Sequence, residues 1–451
     1  MTEDIPINPE SIDHHLVAVI GAGPAGLFAS RELAALGAQV ILFNRDIKPG
    51  GLAEYGIYPE KLKMKNGLRA QFRQILAQEN ITYCGNVQIG TNGDLTVDAL
   101  RELGFQALLI TVGAQGTKWL GLPGEHLSGV YHAKDLVYHY NQLPPYSDWT
   151  FHIGQRVAIV GVGNVMTDIA RYLIDHMKVK VVTALARRGP GETKFDKKEL
   201  EAVVNHLDFG ALNLELERCT ALMQSLEQDV DAIRAMYANA REKAENNSSP
   251  SVLYLQFLSS PTAILGDAHG RVCGLEVEDN TLVVENGEVK ARGLGTRHVL
   301  DVDTVIFAIG DRVDYHLGLP VASSEYIKAL QPRYPQDGGS YEVQDERCGK
   351  ILEDLFVAGW ARKSSSGLVG VARKDGINGA HATAAYLRSL PQATPEVLAQ
   401  ARNLPNVIHK PVINFTDLAR LETVELAQAH ALGLDDFKFS SNNEMLEAMG
   451  K

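Results

Sequence analysis

The sequence has few cysteines, and their spacing excludes two kinds of chemistry. Four occur in 451 residues, at Cys84, Cys219, Cys273 and Cys348. No two of them have the C-x-x-C spacing that is typical of a zinc site or a redox dithiol. We therefore predict no metal site and no disulfide-reducing thiol pair. We expect each cysteine to be a buried, inert side chain.

Long hydrophobic runs and an excess of positive charge are also missing. No apolar stretch is long enough to cross a bilayer, and MTEDIPINPESIDHH lacks the basic and apolar parts of a signal peptide. The same stretch is too acidic for a mitochondrial transit peptide. The formal net charge of −12 argues against general nucleic-acid binding. We therefore expect a soluble cytoplasmic protein that binds neither nucleic acid nor membrane.

The segment LVAVIGAGPAGLFASREL predicts a nucleotide-binding βαβ unit. Its apolar start is typical of a buried parallel strand. Gly21, Gly23 and Gly26 then form G-x-G-x-x-G, a helix runs to Gly37, and the strand AQVILFN follows. In this pattern the glycines allow a tight turn, a close backbone approach to pyrophosphate, and close packing of helix on strand. The helix N-terminus binds the anion.

Two further residues of this unit indicate which dinucleotide it binds. Pro24 makes the loop G-x-G-P-A-G, a variant associated with flavin dinucleotide sites, so we predict FAD here. Most such sites end the second strand with a Glu that binds the adenosine ribose. The corresponding residue is Asn44, whose amide oxygen accepts a ribose O–H more weakly than a carboxylate does. We keep Asn44 as a candidate contact.

A second loop of the same kind, GVGNVMTDIARYL, follows the apolar strand RVAIV. Gly161 and Gly163 keep the first two glycines, whereas Met166 replaces the third, which we expect to loosen helix–strand packing. Asn164 and Val165 lie in the first helical turn, where backbone N–H groups have no partner within the helix. This loop therefore predicts a second pyrophosphate site.

The strand after this helix ends in Arg187 and Arg188. An NAD site places an acidic residue there, whereas two arginines fit the 2′-phosphate of NADP(H) through their forked donors. The alternative is a solvated basic turn. One loop thus suits FAD and the other NADPH, which predicts hydride transfer from the nicotinamide in one domain to the flavin in another.

The order of the strands predicts how the domains are arranged. QALLITVGA at 106–114 and DTVIFAIGD at 303–311 are similar apolar strands, and the whole second βαβ unit lies between them. We predict an α/β fold with two Rossmann-like dinucleotide-binding domains, the NADP domain inserted into the FAD domain. The predicted ranges are 1–115 and 320–451 for the FAD domain and 116–319 for the NADP domain.

The segment LFVAGWARKSSSGLVGVARKDGINGAHATAAYLRSL predicts a strand, a loop and a long helix that return to the FAD domain. Many flavoenzymes with two dinucleotides end this strand in Gly-Asp, and the Asp binds the flavin. This strand ends in Gly359 and Trp360. From the residues alone, Trp360 is either a flavin contact or a core residue.

With these motifs in order, the chain resembles the adrenodoxin-reductase family of NADPH–ferredoxin reductases and, more distantly, the small subunit of glutamate synthase. The resemblance covers nearly the full length, through GAGPAG, PGGLAEYGIYPEKLKMKN, GVGNV, RRGP…F…KEL, GWARKSSSGLV and INFTDLARLETVELAQAHALG. It implies FAD and NADP(H) as cofactors, and a ferredoxin-type iron–sulphur protein that accepts single electrons. The sequence departs from the family at RKSSSG, where Arg-Gly-Pro-Thr-Gly is usual.

The candidate site residues combine the loops with positions that the resemblance implies. None is catalytic, because the flavin is the redox centre. The candidates for FAD are Gly21, Gly23, Pro24, Ala25, Gly26, Asn44, Gly51, Leu52, Ile89, Gly113, Gly359, Trp360, Gly367, Leu368 and Val369. Those for NADP(H) are Gly161, Val162, Gly163, Asn164, Val165, Arg187, Arg188 and Glu199. The resemblance also implies that Gly367 touches the nicotinamide half of NADP.

Two groups of basic residues are candidates for docking an acidic ferredoxin or a similar acceptor. The first is Lys61, Lys63, Lys65, Arg69 and Arg73, and the second is Arg362, Lys363, Arg373 and Lys374. A solvated face is the alternative for both groups.

Two other functions stay open. The first is an electron-feeding flavoprotein subunit of a glutamate-synthase-like complex, which the lack of a Cys-rich segment before the first loop disfavours. The second is a non-catalytic flavin-binding protein, which would have no use for two nucleotide loops.

Overall fold

The structure is a computed structural model that describes residues 11–244, 249–364 and 367–451. Residues 1–10, part of the stretch read above for a signal or transit peptide, lie outside the described residues. So do Ser365 and Ser366, which belong to the loop where the sequence departs from the family.

The described residues form eighteen β-strands. In chain order, β1 to β18 are Leu16–Ile20, Gln39–Asn44, Ile81–Gly85, Ala107–Ile110, Gly116–Thr117, Val130–His132, Arg156–Val160, Val181–Leu185, Val252–Gln256, Ser259–Gly266, Val272–Glu285, Glu288–Leu300, Thr304–Phe307, Asp311–Arg312, Val321–Ala322, Glu325–Tyr326, Glu342–Gln344 and Ile351–Val357.

They also form thirteen α-helices. In chain order, α1 to α13 are Pro24–Ala35, Leu52–Tyr55, Leu62–Leu76, Val97–Glu102, Ala133–Tyr140, Asn164–Asp175, Lys197–Glu201, Phe209–Ser225, Val230–Lys243, Val369–Leu387, Pro395–Asn403, Phe415–Leu432 and Asn442–Met449. None of these described helices is both long and apolar enough to span a bilayer.

The described chain divides into two compact units. The first contains the residues through Thr117, then Tyr140–Asp148 and Gly310–Lys451, and the second contains Lys118–His139 and Trp149–Ile309. The second unit is therefore inserted into the chain of the first. The predicted fold class, two Rossmann-like α/β units with one inserted in the other, is confirmed.

The observed boundary on the C-terminal side of the inserted unit differs from the expected 319/320. It falls at 309/310, since the residues that follow belong to the first unit. Asp311 pairs with Thr117 between β14 and β5, and Leu317 is buried in an apolar cluster of the first unit. Strands of two residues, such as β5 and β14, are too short to show an apolar periodicity in the sequence.

The first unit is built on a six-stranded sheet in the order β17-β18-β4-β1-β2-β3, in which β17 is antiparallel and the others are parallel. All five residues of β1 are buried, because apolar clusters cover both of its faces. Side chains of α1 and α10 belong to one cluster, and those of α11 belong to the other. The continuous apolar run of β1 reflects this two-sided burial.

The second unit contains a five-stranded parallel sheet in the order β6-β13-β7-β8-β9 and a separate antiparallel sheet of β10, β11 and β12. The central strand β7 pairs with β13 on one side and with β8 on the other. The loops after β7 and β8 therefore emerge at the same edge of the sheet, where parallel α/β folds bind ligands.

The cysteines only partly follow the prediction. Cys84 and Cys219 are buried, and burial raises the pKa of the Cys84 thiol to about 12 and that of Cys219 to about 11. Cys273 and Cys348 are exposed. The prediction that every cysteine is buried is wrong for these two, because one lies on an outward-facing position of β11 and the other in the turn before β18.

Candidate functional site

The three glycines of the first loop have different surroundings. Gly21 has a φ of +108°, and a Cβ there would lie 2.7 Å from the carbonyl oxygen of Thr111. A Cβ on Gly26 would overlap the carbonyl oxygen of Gly21, so α1 packs directly on the loop. Nothing lies within 4 Å of the Cβ position of Gly23. The loop is closed towards the protein and open at Gly23, which fits a pyrophosphate cradle.

The helix that follows this loop presents an uncapped N-terminus. Gly23 is the N-cap residue, no side chain caps α1, and the first turn contains no acidic residue. Pro24 is the first helical residue and has no N–H to satisfy. The other N–H groups of the first turn and the positive end of the helix dipole are therefore available to an anion.

A second glycine-rich segment lies against this loop. The Gly50 N–H donates to the carbonyl oxygen of Ala22 at 2.7 Å. Gly51 has a φ of +49°, and a Cβ on it would lie 3.2 Å from the Gly23 Cα. Leu52 begins α2 directly afterwards and is half-buried. The structure therefore places the predicted residues Gly51 and Leu52 beside the open part of the cradle.

The predicted Gly-Trp segment also contacts the start of α1. Gly359 has a φ of +67°, and a Cβ there would lie 2.6 Å from the Cβ of Ala25. A Cβ on Gly376 of α10 would overlap the Ala25 carbonyl oxygen. The Gly359 N–H donates to Oδ2 of Asp375 at 2.6 Å, which fixes the chain just before the half-buried Trp360. Ala25 and Gly359 are thus brought to the first cradle, and Trp360 follows Gly359 directly in the chain.

The start of α10 is a second exposed helix N-terminus in this unit. Gly367 has a φ of +74° and is exposed, and Leu368 is the N-cap residue, which is 62% exposed and leaves the helix without a side-chain cap. Val369 is the first helical residue, and nothing lies within 4 Å of the Cβ position of Gly370. The contacts of these residues with FAD and NADP stay predictions.

The Asn44 side chain connects two segments of the first unit and is buried, with 7% of its surface exposed. Its Oδ1 accepts the Ala22 N–H at 3.1 Å. Its Nδ2 donates to the carbonyl oxygens of Asp46 at 2.8 Å and Lys48 at 3.0 Å. The side chain therefore ties the glycine loop to the turn after β2. Sequence reasoning missed this role, although replacing a carboxylate by an amide is the change that supplies the donor. A ribose contact by Asn44 stays a prediction.

Two other FAD candidates, Ile89 and Gly113, have different surroundings. Ile89 is 8% exposed, and its side chain packs in an apolar cluster of the first unit. Gly113 has a φ of +72° and lies in the segment after β4. Their roles in FAD binding stay predictions.

The second loop repeats the design of the first. Gly161 has a φ of +116°, and a Cβ there would overlap the carbonyl oxygen of Ala308, just after β13. Nothing lies within 4 Å of the Cβ position of Gly163. The helix α6 begins at Asn164 without a side-chain cap and without an acidic residue in its first turn, and Val165 there is 43% exposed. This loop also fits a pyrophosphate.

Met166 stands where the first loop has its third glycine, and its side chain is buried with 1% of its surface exposed. Its N–H donates to the Gly163 carbonyl oxygen at 2.9 Å. In the first loop the corresponding residue, Gly26, has no room for a Cβ. Looser packing of α6 on its strand therefore stays a prediction.

A neighbouring segment reinforces this loop. The Lys194 N–H donates to the Val162 carbonyl oxygen at 3.1 Å. The Asn164 side chain donates to Oδ2 of Asp196 at 2.7 Å and accepts the Asp196 N–H at 2.7 Å. Sequence reasoning missed Lys194 and Asp196, which lie more than thirty positions from the loop. The predicted residue Glu199 is half-buried in the first turn of α7.

Arg187 and Arg188 follow β8, the strand next to β7. Arg187 is exposed and Arg188 is half-buried. Among the described residues, neither guanidinium has a hydrogen-bonding or ion-pair partner. Two cations without a partner beside the second glycine loop are chemically suited to a phosphate group.

The first predicted docking group is wrong in part. Lys65 is 2% exposed and donates to Oδ1 of Asn141 at 2.7 Å, and burial lowers its pKa to about 7. Arg69 is held by the buried Glu54, with its Nη2 2.6 Å from Oε1, and by Asp436. The sequence did not reveal these partners. A buried lysine and a paired arginine are unsuited to docking.

The second group is mixed. Arg362 forms an ion pair with Asp375 and lies over the Tyr341 ring, with Cζ 4.4 Å from its centroid. Lys374 is exposed and forms an ion pair with Asp337 at 2.9 Å. Lys363 and Arg373 are exposed. The Cζ of Arg373 lies over the Phe28 ring, 4.5 Å from its centroid. Docking through these side chains stays a prediction.

The chain is similar to a known class of oxidoreductases. Residues 15–208 match the family described as pyridine nucleotide-disulphide oxidoreductase. This range contains both glycine loops as well as Arg187 and Arg188. The match agrees with an α/β fold that has one nucleotide cradle in each unit.

The individual relatives are more specific. The chain is 26% identical to NADPH:adrenodoxin oxidoreductase, mitochondrial, of Salvelinus fontinalis, over 96% of this chain and 90% of that protein. It is 26% identical to NADPH-ferredoxin reductase FprA of Mycobacterium leprae, over 82% of this chain and 83% of that protein. The structure of Mycobacterium tuberculosis FprA in complex with NADPH matches with a TM-score of 0.80 and 22% identity, over 97% of this chain and all of that chain. The resemblance predicted from the sequence is confirmed.

Proposed function

We propose that this protein is an FAD-dependent NADPH oxidoreductase that passes electrons to a ferredoxin-type iron–sulphur protein. The observation that carries the proposal is the pair of uncapped helix N-termini at α1 and α6, one in each unit. Each follows a loop whose middle glycine is open. The relatives named NADPH:adrenodoxin oxidoreductase and NADPH-ferredoxin reductase support the choice of electron donor and acceptor.

The first unit binds FAD in this proposal. The N–H groups at the start of α1 bind the pyrophosphate, and Gly23 and Gly51 leave room for it. Ala25 and Gly359 meet at the start of α1, which supports the proposal that they and the adjacent Trp360 line the site. When bound, FAD supplies the redox chemistry by accepting a hydride and releasing single electrons.

The second unit binds NADPH. The start of α6 and the open Gly163 receive the pyrophosphate, and Lys194 to Asp196 hold the loop in place. Arg187 and Arg188 bind the 2′-phosphate through charge-assisted hydrogen bonds. NADH lacks this group, so the two arginines select for NADPH.

The acceptor is an acidic iron–sulphur protein, and docking uses exposed cations such as Lys363 and Arg373. Because such attraction is screened by salt, the rate of electron transfer falls as ionic strength rises. We also propose a cytoplasmic location, based on the sequence composition.

A test of the proposed function uses the purified protein under anaerobic conditions. NADPH should bleach its flavin spectrum, and the reduced protein should then reduce members of a panel of purified ferredoxins and flavodoxins. Reduction of a ferredoxin at a rate that falls with salt supports the proposal. Flavin that NADPH cannot reduce, or that reduces no iron–sulphur protein in the panel, contradicts it.

A further inference from the structure

The backbone at Arg187 and Arg188 is held by residues far along the chain. Leu258 lies between β9 and β10 with a φ of +49°, an unusual conformation for a leucine. Its N–H donates to the Arg188 carbonyl oxygen at 3.1 Å, and the Ser259 N–H donates to the Ala186 carbonyl oxygen at 3.0 Å. The turn that leads into the antiparallel sheet therefore fixes the chain where β8 ends.

Asn280 of β11 completes this arrangement and is 5% exposed. Its Nδ2 donates to the Arg187 carbonyl oxygen at 2.8 Å and to the Ser260 hydroxyl at 2.7 Å. Its N–H donates to the Leu258 carbonyl oxygen at 2.7 Å. Pairing with β12 shifts register just before Asn280, which marks a local irregularity in β11. The side-chain amide of Asn280 thus holds the peptide between the arginines, and its backbone N–H holds the turn.

That peptide sets the directions of the Cα–Cβ bonds from which the two arginine side chains extend. The carbonyl of Arg187 and the N–H of Arg188 belong to the same planar group, so an anchor on one fixes the other. Among the described residues neither guanidinium is held by another side chain. The anchors hold the backbone from which both side chains extend, so less backbone entropy is lost when a ligand binds.

We infer that Asn280 is a positioning residue for coenzyme specificity, because it holds the peptide between Arg187 and Arg188 so that both guanidiniums meet the 2′-phosphate of NADP(H). This inference rests on the proposed function of the second unit. It assigns a role in specificity to the antiparallel sheet, which lies outside the parallel strands that carry the phosphate loop.

The experiment measures calorimetric binding of 2′,5′-ADP, which carries the 2′-phosphate, and of 5′-AMP, which lacks it. Asn280→Ala removes the amide, and Asn280→Asp keeps its shape but loses the donor. Both variants should bind 2′,5′-ADP about five- to ten-fold more weakly, as the loss of one buried hydrogen bond allows, with 5′-AMP binding unchanged. Thr281→Ala, the neighbouring residue on β11, serves as the control and should bind both nucleotides as the wild type does.

Steady-state kinetics give a second readout. For both variants the KM for NADPH should rise while kcat and the KM for NADH stay near the wild-type values, a pattern that general destabilisation would not produce. Thermal unfolding of the variants identifies any that fail to fold, and the variant that folds then carries the test. Unchanged binding of 2′,5′-ADP, or an equal loss for both nucleotides, overturns the inference. A wild-type protein that binds 5′-AMP and 2′,5′-ADP equally well overturns the proposed NADP site itself, and the inference with it.

Discussion

The Oδ1 atom of Asn44 accepts a hydrogen bond from the N–H of Ala22 at 3.1 Å, and this bond joins the end of β2 to the first glycine loop. The Nδ2 of the same side chain donates to the carbonyl oxygens of Asp46 and Lys48. Relatives of this fold that use a carboxylate here cannot make the second set of bonds, because a carboxylate has no donor. The amide therefore suits the turn that this chain has.

Asn44→Asp should weaken FAD binding. The carboxylate would face two carbonyl oxygens without a donor, which costs about 1–3 kcal/mol and loosens the loop. The dissociation constant of FAD, measured by fluorescence titration of the deflavinated protein, should rise about ten-fold. Tighter FAD binding by the Asp variant would contradict this prediction. It would show that a carboxylate at this position binds the ribose better than the amide does, and that the hydrogen bonds of the amide are not needed.

Two glycines of the first loop should respond in opposite ways to an added methyl group. Gly23→Ala should leave the folded protein as stable as the wild type, since its Cβ position is open, but should prevent retention of FAD. Gly26→Ala should destabilise the protein by about 1–3 kcal/mol, because the methyl group would overlap the Gly21 carbonyl oxygen. Flavin content and thermal unfolding separate the two effects. Normal flavin content in Gly23→Ala would mean that pyrophosphate binds elsewhere.

Replacing Arg187 and Arg188 by Ala should remove hydrogen bonds to the 2′-phosphate that are worth about 1.5–3 kcal/mol each. The KM for NADPH should therefore rise ten-fold or more, whereas the KM for NADH should change little. Initial rates with both coenzymes measure this. An equal loss with NADPH and NADH would show that the arginines do not read the 2′-phosphate.

Lys65 should give the protein a pH-dependent stability. Burial and, after it, the charge of Lys438 lower its pKa to about 7, although Glu54 acts in the opposite direction. Between pH 7 and the ordinary lysine pKa of about 10.4, the unfolded chain binds more protons, so stability from this residue rises with pH. The slope is at most about 1.4 kcal/mol per pH unit. Below pH 7 both states are protonated and the contribution is constant.

Lys65→Met should remove that slope. Urea unfolding at pH 7 and pH 9 should show a smaller gain in stability for the variant than for the wild type. Lys63→Met, at an exposed position of the same helix, should keep the wild-type slope. Parallel pH dependences for Lys65→Met and the wild type would mean that the lysine is charged throughout this range.

The sequence was sufficient for the features that depend on local pattern. Apolar strands followed by spaced glycines predicted both cradles, because a turn with positive φ and a close helix need those glycines at Gly21, Gly26 and Gly161. It was insufficient where distant residues meet. Asn280 lies 93 positions from Arg187, and Asp436 lies 367 positions from Arg69. Lys65 has the local pattern of an exposed cation, and tertiary packing alone buries it.

The most direct test is the visible spectrum of the purified protein during anaerobic titration with NADPH. We expect a yellow protein that holds FAD in equimolar amount, and whose flavin absorbance is bleached by NADPH far faster than by NADH. A colourless protein that cannot be reconstituted with FAD would contradict the assignment of two dinucleotide sites to α1 and α6.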